Sequence, residues 1–203
     1  MFSLVSGLLA QYFEKREVRF LMIGLDDGGK TSLLERIKFS FNPKNESTDV
    51  EQSMQLRKVT PTVGLNIARL EVKKTKVIIW DLGGQEGLRG IWDKYYPDTT
   101  GIMWVVDCAN PSRFEESCRV LEGVLQAQDL QGVPLLVLAT KHDRSGAIDT
   151  EDIRKHAVPS SSPCMAGRQV RVLSASALEE QGVADGLCWL LEAVARSPRP
   201  QRQ

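Results

Sequence analysis

The stretch GLDDGGKT, residues 24–31, constrains the fold of this chain more than any other part of its sequence. It directly follows the apolar run FLMI, and the overlapping segment KTSLLERIKF has apolar residues at helical spacing. Together they match the phosphate-binding pattern Gly-x-x-x-x-Gly-Lys-Thr, whose backbone N–H groups turn inward on phosphate oxygens. The alternative is an ordinary tight turn between a strand and a helix, and the other motifs decide between the two.

The lysine and threonine of this loop have separate roles in such a site. Lys30 can reach the β- and γ-phosphates of a nucleotide, and the Thr31 hydroxyl can ligate Mg²⁺. The residues predicted here to bind nucleotide are Gly24, Leu25, Asp26, Asp27, Gly28, Gly29, Lys30, Thr31 and Ser32.

The rest of the chain alternates between strand-like and helical patterns. The strand-like runs are EVRFLMIGL, VGLNIARLEV, KVIIWDL, GIMWVVD, VPLLVLAT and RQVRVLSA, the second and third joined by a turn at Lys73 and Lys74. Helical spacing occurs in ESCRVLEGVLQAQ, DTEDIRKHA and GVADGLCWLLEAVARS. This alternation predicts an α/β fold, a doubly wound, six-stranded, mostly parallel sheet with helices on both faces.

The length and composition predict one domain. A chain of 203 residues, 42% of them hydrophobic, can bury one substantial core. We place this domain at residues 18–196, with an amphipathic helix at 1–17, a long flexible loop at 40–60 and a disordered tail at 197–203. The first segment is too short for a membrane span and lacks the features of a secretory signal.

The charge balance bears on the class of partner, and the cysteine content bears on the cellular compartment. The 26 basic and 26 acidic residues balance, and no basic stripe is interrupted by aromatic residues, so we expect no nucleic-acid partner. The four cysteines form no Cys-x-x-Cys pair, which favours reduced thiols in an intracellular protein.

The segment WDLGGQE follows the second strand of the predicted hairpin. Asp81, at the carboxyl end of that strand, can hold Mg²⁺ through water. The N–H of Gly84 can swing onto a γ-phosphate, and Gln85 can orient an attacking water. Gln85 is therefore the candidate catalytic residue, although such a loop by itself is also typical of an ordinary turn.

The segment TKHD closes a later strand and supplies a base-reading group. The Asp143 carboxylate can accept hydrogen bonds from the ring N–H and the exocyclic amine of guanine, whereas a buried aspartate would be left unpaired by adenine. Thr140 and Lys141 belong to the same candidate nucleotide site. The alternative is solvated charge on a surface loop.

These motifs, in this order, resemble those of the small GTPases and specifically the ADP-ribosylation factor (ARF) family. The segments that carry the resemblance are GLDxxGKT, PTVG, WDLGGQE and IWDKYY, and it extends from about residue 1 to about residue 197. It implies that Thr62 ligates Mg²⁺ and senses the γ-phosphate, and that the loop Ser176, Ala177 and Leu178 contacts the guanine oxygen. It also implies an effector surface formed by Leu65, Trp80 and Tyr95.

The sequence departs from the family pattern at several places, among them position 65, where leucine stands in place of the usual phenylalanine. Gly28 stands where the family has alanine, which keeps the loop compact. Thr140 stands where the family has asparagine, a residue that mainly braces neighbouring loops. The loop before Thr62 is longer than is usual.

The N-terminal segment differs from that of myristoylated relatives. Myristoylation needs glycine after the initiator methionine, and this chain has Phe2. The resemblance implies instead an acetylated N-terminus captured by an integral membrane receptor at the Golgi. The residues expected to contact membrane or receptor are Phe2, Val5, Leu8, Leu9 and Tyr12, which lie along one helical face. The alternative is that this apolar face packs on the domain and contacts neither membrane nor receptor.

The sequence therefore predicts a GTP-binding and GTP-hydrolysing switch. It would use Mg²⁺ and cycle between GDP and GTP. The resemblance implies that it associates reversibly with trans-Golgi membranes from the cytoplasm and controls vesicle and protein trafficking. Its partners would be an exchange factor, a GTPase-activating protein and effectors, and turnover would be slow because no arginine finger is evident. The alternatives are a P-loop kinase and an interaction module that binds GTP without hydrolysing it.

Overall fold

The computed structural model describes residues 17–41, 56, 60, 62–157, 162–179 and 182–197. The predicted N-terminal helix with Phe2, Val5, Leu8, Leu9 and Tyr12, most of the predicted loop at 40–60 and nearly all of the tail lie outside these residues. Strand β1 begins at Glu17, which is the last residue of the predicted helix.

The described residues form the predicted α/β sheet with helices on both faces. The strands are β1 (Glu17–Gly24), β2 (Leu65–Val72), β3 (Thr75–Leu82), β4 (Gly101–Asp107), β5 (Leu135–Thr140) and β6 (Val170–Ala175). The α-helices are α1 (Lys30–Phe41), α2 (Phe114–Leu125), α3 (Thr150–Ala157) and α4 (Val183–Arg196). Short 3₁₀ segments span Glu86–Asp98, Pro111–Arg113, Gln128–Leu130 and Pro163–Met165.

The sheet has the strand order β2-β3-β1-β4-β5-β6. Among the strands of the described residues, only the β2–β3 pair is antiparallel, and it is the predicted hairpin. Its turn is made by Lys73 and Lys74, both at positive φ (48° and 66°), as a two-residue turn between twisted strands requires. The other neighbouring strands are parallel. The winding direction reverses at β1, so the crevice beyond its carboxyl end, where such sheets bind ligands, lies beside the glycine-rich loop.

Two buried clusters hold the helices against the sheet. On one face, Leu33 and Ile37 of α1 and Leu187 and Leu190 of α4 pack on alternate residues of the strands. The opposite face is covered by α2, α3 and the segment Glu86–Asp98, which inserts Trp92 beside Trp104. The predicted six-stranded, mostly parallel sheet with helices on both faces is therefore confirmed.

None of the helices in the described part of the chain has the length and apolar character that a membrane span requires. The four cysteines are unpaired, as the sequence predicts.

Candidate functional site

A cleft of about 230 Å³ opens at the carboxyl edge of the sheet. It is lined by Asp26, Asp27, Gly29, Lys30, Thr31, Ser32, Thr60, Thr62, Gly83, Gly84, Gln85 and Lys141. All but two of these lining residues are among the predicted site residues. The exceptions, Thr60 and Gly83, flank predicted positions, and only their closeness in sequence to Thr62 and Gly84 pointed to them.

The glycine-rich loop wraps around the Lys30 ammonium. Lys30 Nζ donates to the carbonyl of Gly24 (3.1 Å) and to that of Leu25 (2.7 Å), and the residue is only 6% exposed. Burial lowers the pKa of Lys30 to about 8, and the charge of Asp81 partly opposes this shift. Asp27 (φ 57°) and Gly29 (φ 84°) have left-handed backbone conformations, which in such loops turn successive N–H groups toward an anion. The loop thus combines a buried cation with a backbone shaped for phosphate.

Three oxygen-bearing side chains converge next to this loop. The Thr31 Oγ1 lies 2.6 Å from the Thr62 Oγ1 and donates to the Asp81 Oδ2 at 2.7 Å. Thr62 comes from the segment before β2 and Asp81 from β3, so the cluster joins three separate segments. Burial raises the pKa of Asp81, and the Thr31 hydrogen bond and the Lys30 charge oppose this.

The second carboxylate oxygen of Asp81 shows that this cluster fits a cation. Oδ1 is buried and has no hydrogen-bond partner among the described residues. A buried carboxylate oxygen is costly unless it is paired or faces a cation, and hydroxyl and carboxylate oxygens are the ligands that Mg²⁺ prefers. The three side chains therefore supply oxygen ligands suited to Mg²⁺, and one buried carboxylate oxygen is left without a hydrogen-bond partner.

The loop after β3 touches the glycine-rich loop directly. A Cβ on Gly84 would lie 2.4 Å from the carbonyl oxygen of Gly24 and 2.5 Å from the backbone nitrogen of Asp26. Only glycine permits this approach, which keeps the Gly84 backbone at the phosphate cleft. Gln85 follows it and is exposed at the cleft.

The predicted base-reading segment TKHD begins at Thr140, the last residue of β5. Lys141 Nζ donates to the Asp107 carboxylate (2.7 Å) and to the Asp27 carbonyl (2.6 Å), which joins this segment to the glycine-rich loop. The Thr140 hydroxyl donates to the carbonyls of Gly28 (2.8 Å) and Val106 (2.9 Å). Thr140 therefore braces neighbouring loops, the role expected of the asparagine that it replaces. Asp107 was not predicted, although an acidic residue at the carboxyl end of a strand was an available signal.

The predicted base-reading residues do not line the cleft itself. Asp143 is exposed, whereas its predicted role in distinguishing guanine from adenine assumed a buried carboxylate. Ser176 and Ala177 follow β6, and Leu178 is 48% exposed. The Ser176 hydroxyl accepts from the N–H of Glu179 at 3.1 Å, so this loop forms a local turn beside the end of β5.

Arg36 donates hydrogen bonds to the loop that follows β6, and this role was not predicted from the sequence. It lies on α1, it is 2% exposed, and its Nε donates to the Ala177 carbonyl at 2.6 Å. A longer contact of 3.4 Å joins its Nη2 to the Leu178 carbonyl. Because α1 begins at Lys30, one helix links the phosphate loop to the loop after β6. An arginine on an otherwise apolar helix face was the only signal in the sequence.

Replacing Arg36 by methionine is expected to reduce the free energy of unfolding by about 2–3 kcal/mol, because the Ala177 carbonyl loses a charged donor in a partly buried hydrogen bond. Urea unfolding followed by circular dichroism measures this loss. The matched control is Lys38→Met on the same helix, which breaks a partly exposed ion pair with Glu35 and is expected to cost about 0.5 kcal/mol or less. Equal losses in the two variants would contradict a bracing role for Arg36.

The predicted effector residues form one patch on the β2–β3 hairpin and the segment after it. The rings of Trp80 and Tyr95 meet edge to face with centroids 5.2 Å apart, and both are half-buried against the core. Ile67 pairs with Trp80, so Leu65, two residues earlier, lies on the same face and is 38% exposed. The three side chains therefore share one face, and Trp80 and Tyr95 also contribute to the core.

The sequence matches the model of the ADP-ribosylation factor family over residues 5–194. ADP-ribosylation factor-related protein 1 from Rattus norvegicus is 42% identical over 205 residues, which cover 100% of this chain and 98% of the relative. The protein of the same name from Homo sapiens is 41% identical, with the same coverage. ADP-ribosylation factor-like protein 3 from Saccharomyces cerevisiae is 34% identical over 98% of this chain and 96% of the relative.

The fold also matches a solved structure. The small GTPase Arl6 (BBS3) from Trypanosoma brucei, with bound nucleotide analogue GppNp, superposes with a TM-score of 0.74 at 25% identity. The match covers 89% of this chain and 99% of the other. Sequence, fold and the phosphate-binding cleft thus agree, and the chain belongs to the ADP-ribosylation factor family of small GTPases, which bind GTP and hydrolyse it to GDP.

Proposed function

We propose that this GTPase is a membrane-recruited switch whose signal is the contact of two loops with the glycine-rich loop. The observation that carries the proposal is the convergence of Thr62 and Gly84 on this loop from the two chain segments at the open end of the β2–β3 hairpin. A γ-phosphate in the cleft would favour both contacts, because the loops close on the place where it would sit. After hydrolysis, that attraction is lost and the loops are released.

Within this proposal, Thr31, Thr62 and Asp81 hold the magnesium ion, Asp81 through water. When bound, Mg²⁺ neutralises charge on the phosphate oxygens. The protein residues do the positioning: Lys30 binds the phosphates, and Gln85 orients the attacking water. Arg89 is a candidate for an internal arginine finger, but it donates to the Gly84 carbonyl at 2.9 Å and to Glu116 at 2.8 Å.

The consequence for catalysis is slow turnover by the chain alone. Positive charge in trans accelerates related GTPases by about 10³–10⁵-fold. We therefore infer that a GTPase-activating protein supplies the missing charge, and that an exchange factor reloads the site. Guanine specificity would come from Asp143 and the loop Ser176, Ala177 and Leu178, which Arg36 and Lys141 help to position.

The membrane partners follow from the family resemblance. GTP-dependent closure would present Leu65, Trp80 and Tyr95 to effectors and free the N-terminal segment through a change of register in the hairpin. That segment would bind Golgi membrane through Phe2 and the apolar residues after it. We also propose an acetylated N-terminus held by an integral membrane receptor.

Mass identification of the nucleotide that copurifies with the full chain tests the nucleotide assignment. GDP or GTP supports it, and an adenine nucleotide would overturn the role of Asp143. A turnover assay with GTP alone tests the slow rate, because a kinase-like rate of about 1–100 s⁻¹ would contradict the absence of an internal arginine finger. Competition by ATP would favour the kinase alternative, which needs an acceptor pocket.

A further inference from the structure

A chain of alternating charges connects the loop after β3 to the glycine-rich loop. Arg89 Nε donates to the Gly84 carbonyl at 2.9 Å, and its Nη2 pairs with Glu116 at 2.8 Å. Glu116, at the start of α2, also accepts from Arg113 Nε at 3.1 Å. Arg113 Nη2 in turn pairs with the Asp26 carboxylate at 2.8 Å. The relay Arg89–Glu116–Arg113–Asp26 thus has two cations and two anions and begins and ends at the nucleotide cleft.

Asp26 is the member of the relay whose negative charge would be repelled by the phosphates of a bound nucleotide. It is part of the glycine-rich loop and is one of the residues that line the cleft in which a nucleotide's phosphates would bind. Two negative charges that lie close together in a partly buried site repel each other strongly. Asp26 and Asp27 both stand in this loop, but only Asp26 has an arginine paired with its carboxylate among the described contacts.

Arg113 contacts both the carboxylate and the backbone carbonyl of Asp26. Its guanidinium neutralises the Asp26 carboxylate, and a longer contact of 3.4 Å from Nη1 to the Asp26 carbonyl also engages the loop backbone. The hydrogen bond from Arg113 is the main cause of the lowered pKa of Asp26, so the carboxylate stays ionised and bound to the arginine. Hydrogen bonds from Arg89 and Arg113 likewise lower the pKa of Glu116.

We propose that Arg113 is a positioning residue that favours a nucleoside triphosphate over the diphosphate by holding the Asp26 carboxylate neutralised and away from the terminal phosphate. This inference rests on the proposed GTP switch and adds a determinant of which nucleotide that switch prefers. The γ-phosphate carries the charge that distinguishes the two ligands, so the effect falls mainly on GTP.

The test compares the affinities of GDP and GTPγS in the full chain with Mg²⁺, by displacement of a fluorescent guanine nucleotide. Arg113→Gln is expected to lower the ratio of GTPγS affinity to GDP affinity by about tenfold, because the unpaired carboxylate repels the terminal phosphate. GDP affinity itself should stay within about twofold. Arg113→Lys keeps the charge without the planar fork and should restore part of the ratio.

A second substitution separates electrostatic positioning from mere support of the fold. In an Asp26→Asn background, Arg113→Gln should change the ratio by less than about twofold, because no carboxylate remains to be neutralised. Arg119→Gln, on the same helix as Glu116 and exposed, removes the same charge and serves as the control. If Arg113→Gln lowers the ratio equally in the wild-type and Asp26→Asn backgrounds, the proposal is overturned, as it is by an unchanged ratio in Arg113→Gln alone.

Failure of this inference can be told apart from failure of the proposed function. If the wild-type chain binds neither guanine nucleotide, the switch itself is wrong, and the inference falls with it. If the wild-type chain binds both and the Arg113 and Asp26 variants keep the wild-type ratio, only the role of Arg113 is wrong. A variant that loses GDP and GTPγS equally, with a lower melting temperature, would assign Arg113 a structural role and would also overturn the proposal.

Discussion

Replacement of Gly84 by alanine is expected to lower the preference for GTPγS over GDP by about 30- to 100-fold, the value of one hydrogen bond to a charged phosphate. The added methyl group would overlap the carbonyl oxygen of Gly24 at 2.4 Å and the carbonyl carbon of Leu25 at the same distance. These are backbone atoms, so no side-chain rotation relieves the contact. The loop after β3 must therefore withdraw from the cleft.

The glycine-rich loop cannot yield instead, because it is itself held tightly. Gly24 has a φ of 150°, and a Cβ there would lie 2.3 Å from the Val105 carbonyl, so this backbone already lies against β4. Withdrawal of Gly84 also carries Gln85 away, and GTP hydrolysis in a single turnover is expected to fall by at least about 100-fold. Binding of GDP should persist, since a diphosphate does not need the Gly84 N–H.

Two neighbouring glycines provide matched controls for this variant. A Cβ on Gly87 or on Gly90 would meet no atom within 4 Å, and neither residue has a left-handed φ. Gly87→Ala and Gly90→Ala should therefore keep the wild-type nucleotide preference in the same displacement assay. If Gly84→Ala behaves like these two, the close approach of the loops is not required for binding the triphosphate.

The phosphate side of the site was predictable from sequence because its determinants are local. One strand, one loop and one helix occur within residues 17–41, and the glycine, lysine and threonine spacing fixes their chemistry. The hairpin was equally accessible, since its two strands are joined by a two-residue turn at Lys73 and Lys74. Local periodicity and turn chemistry carry this information, and no knowledge of the folded chain is needed.

The contacts that were missed join residues far apart in the chain. Arg36 and Ala177 are separated by 141 positions, and Arg113 and Asp26 by 87. Periodicity does not report such pairs, because they arise only when the sheet brings strand ends to one edge. The 3₁₀ segment Glu86–Asp98 was also unassigned, since it contains Pro97 and follows neither the helical nor the strand period.

The shape of the site explains why its two ends tolerate sequence change differently. At the phosphate end, backbone groups approach so closely that only glycine fits at Gly84. At Thr140, by contrast, a hydroxyl reaches two carbonyls and replaces the amide expected from the family. A loop brace can be remade by another side chain of similar reach, whereas a backbone contact cannot.

Replacement of Asp143 by asparagine is expected to weaken GDP binding by about 10²- to 10⁴-fold, the value of two hydrogen bonds to a charged group. Guanine offers two donors on one edge, the ring N–H and the exocyclic amine. An asparagine side chain has a single acceptor oxygen, so its amide group would face the guanine amine donor to donor. Xanthine has a carbonyl at that position and accepts from the amide.

The same variant should therefore exchange guanine for xanthine preference rather than lose nucleotide binding altogether. Displacement assays with GDP and xanthosine diphosphate measure both affinities, and xanthosine diphosphate is expected to bind Asp143→Asn more tightly than GDP does. Asp152→Asn, an exposed position on α3, makes the same chemical change outside the site and should leave both affinities unaltered. An Asp143→Asn protein that still prefers GDP would show that another group reads the base, because the amide cannot satisfy both guanine donors.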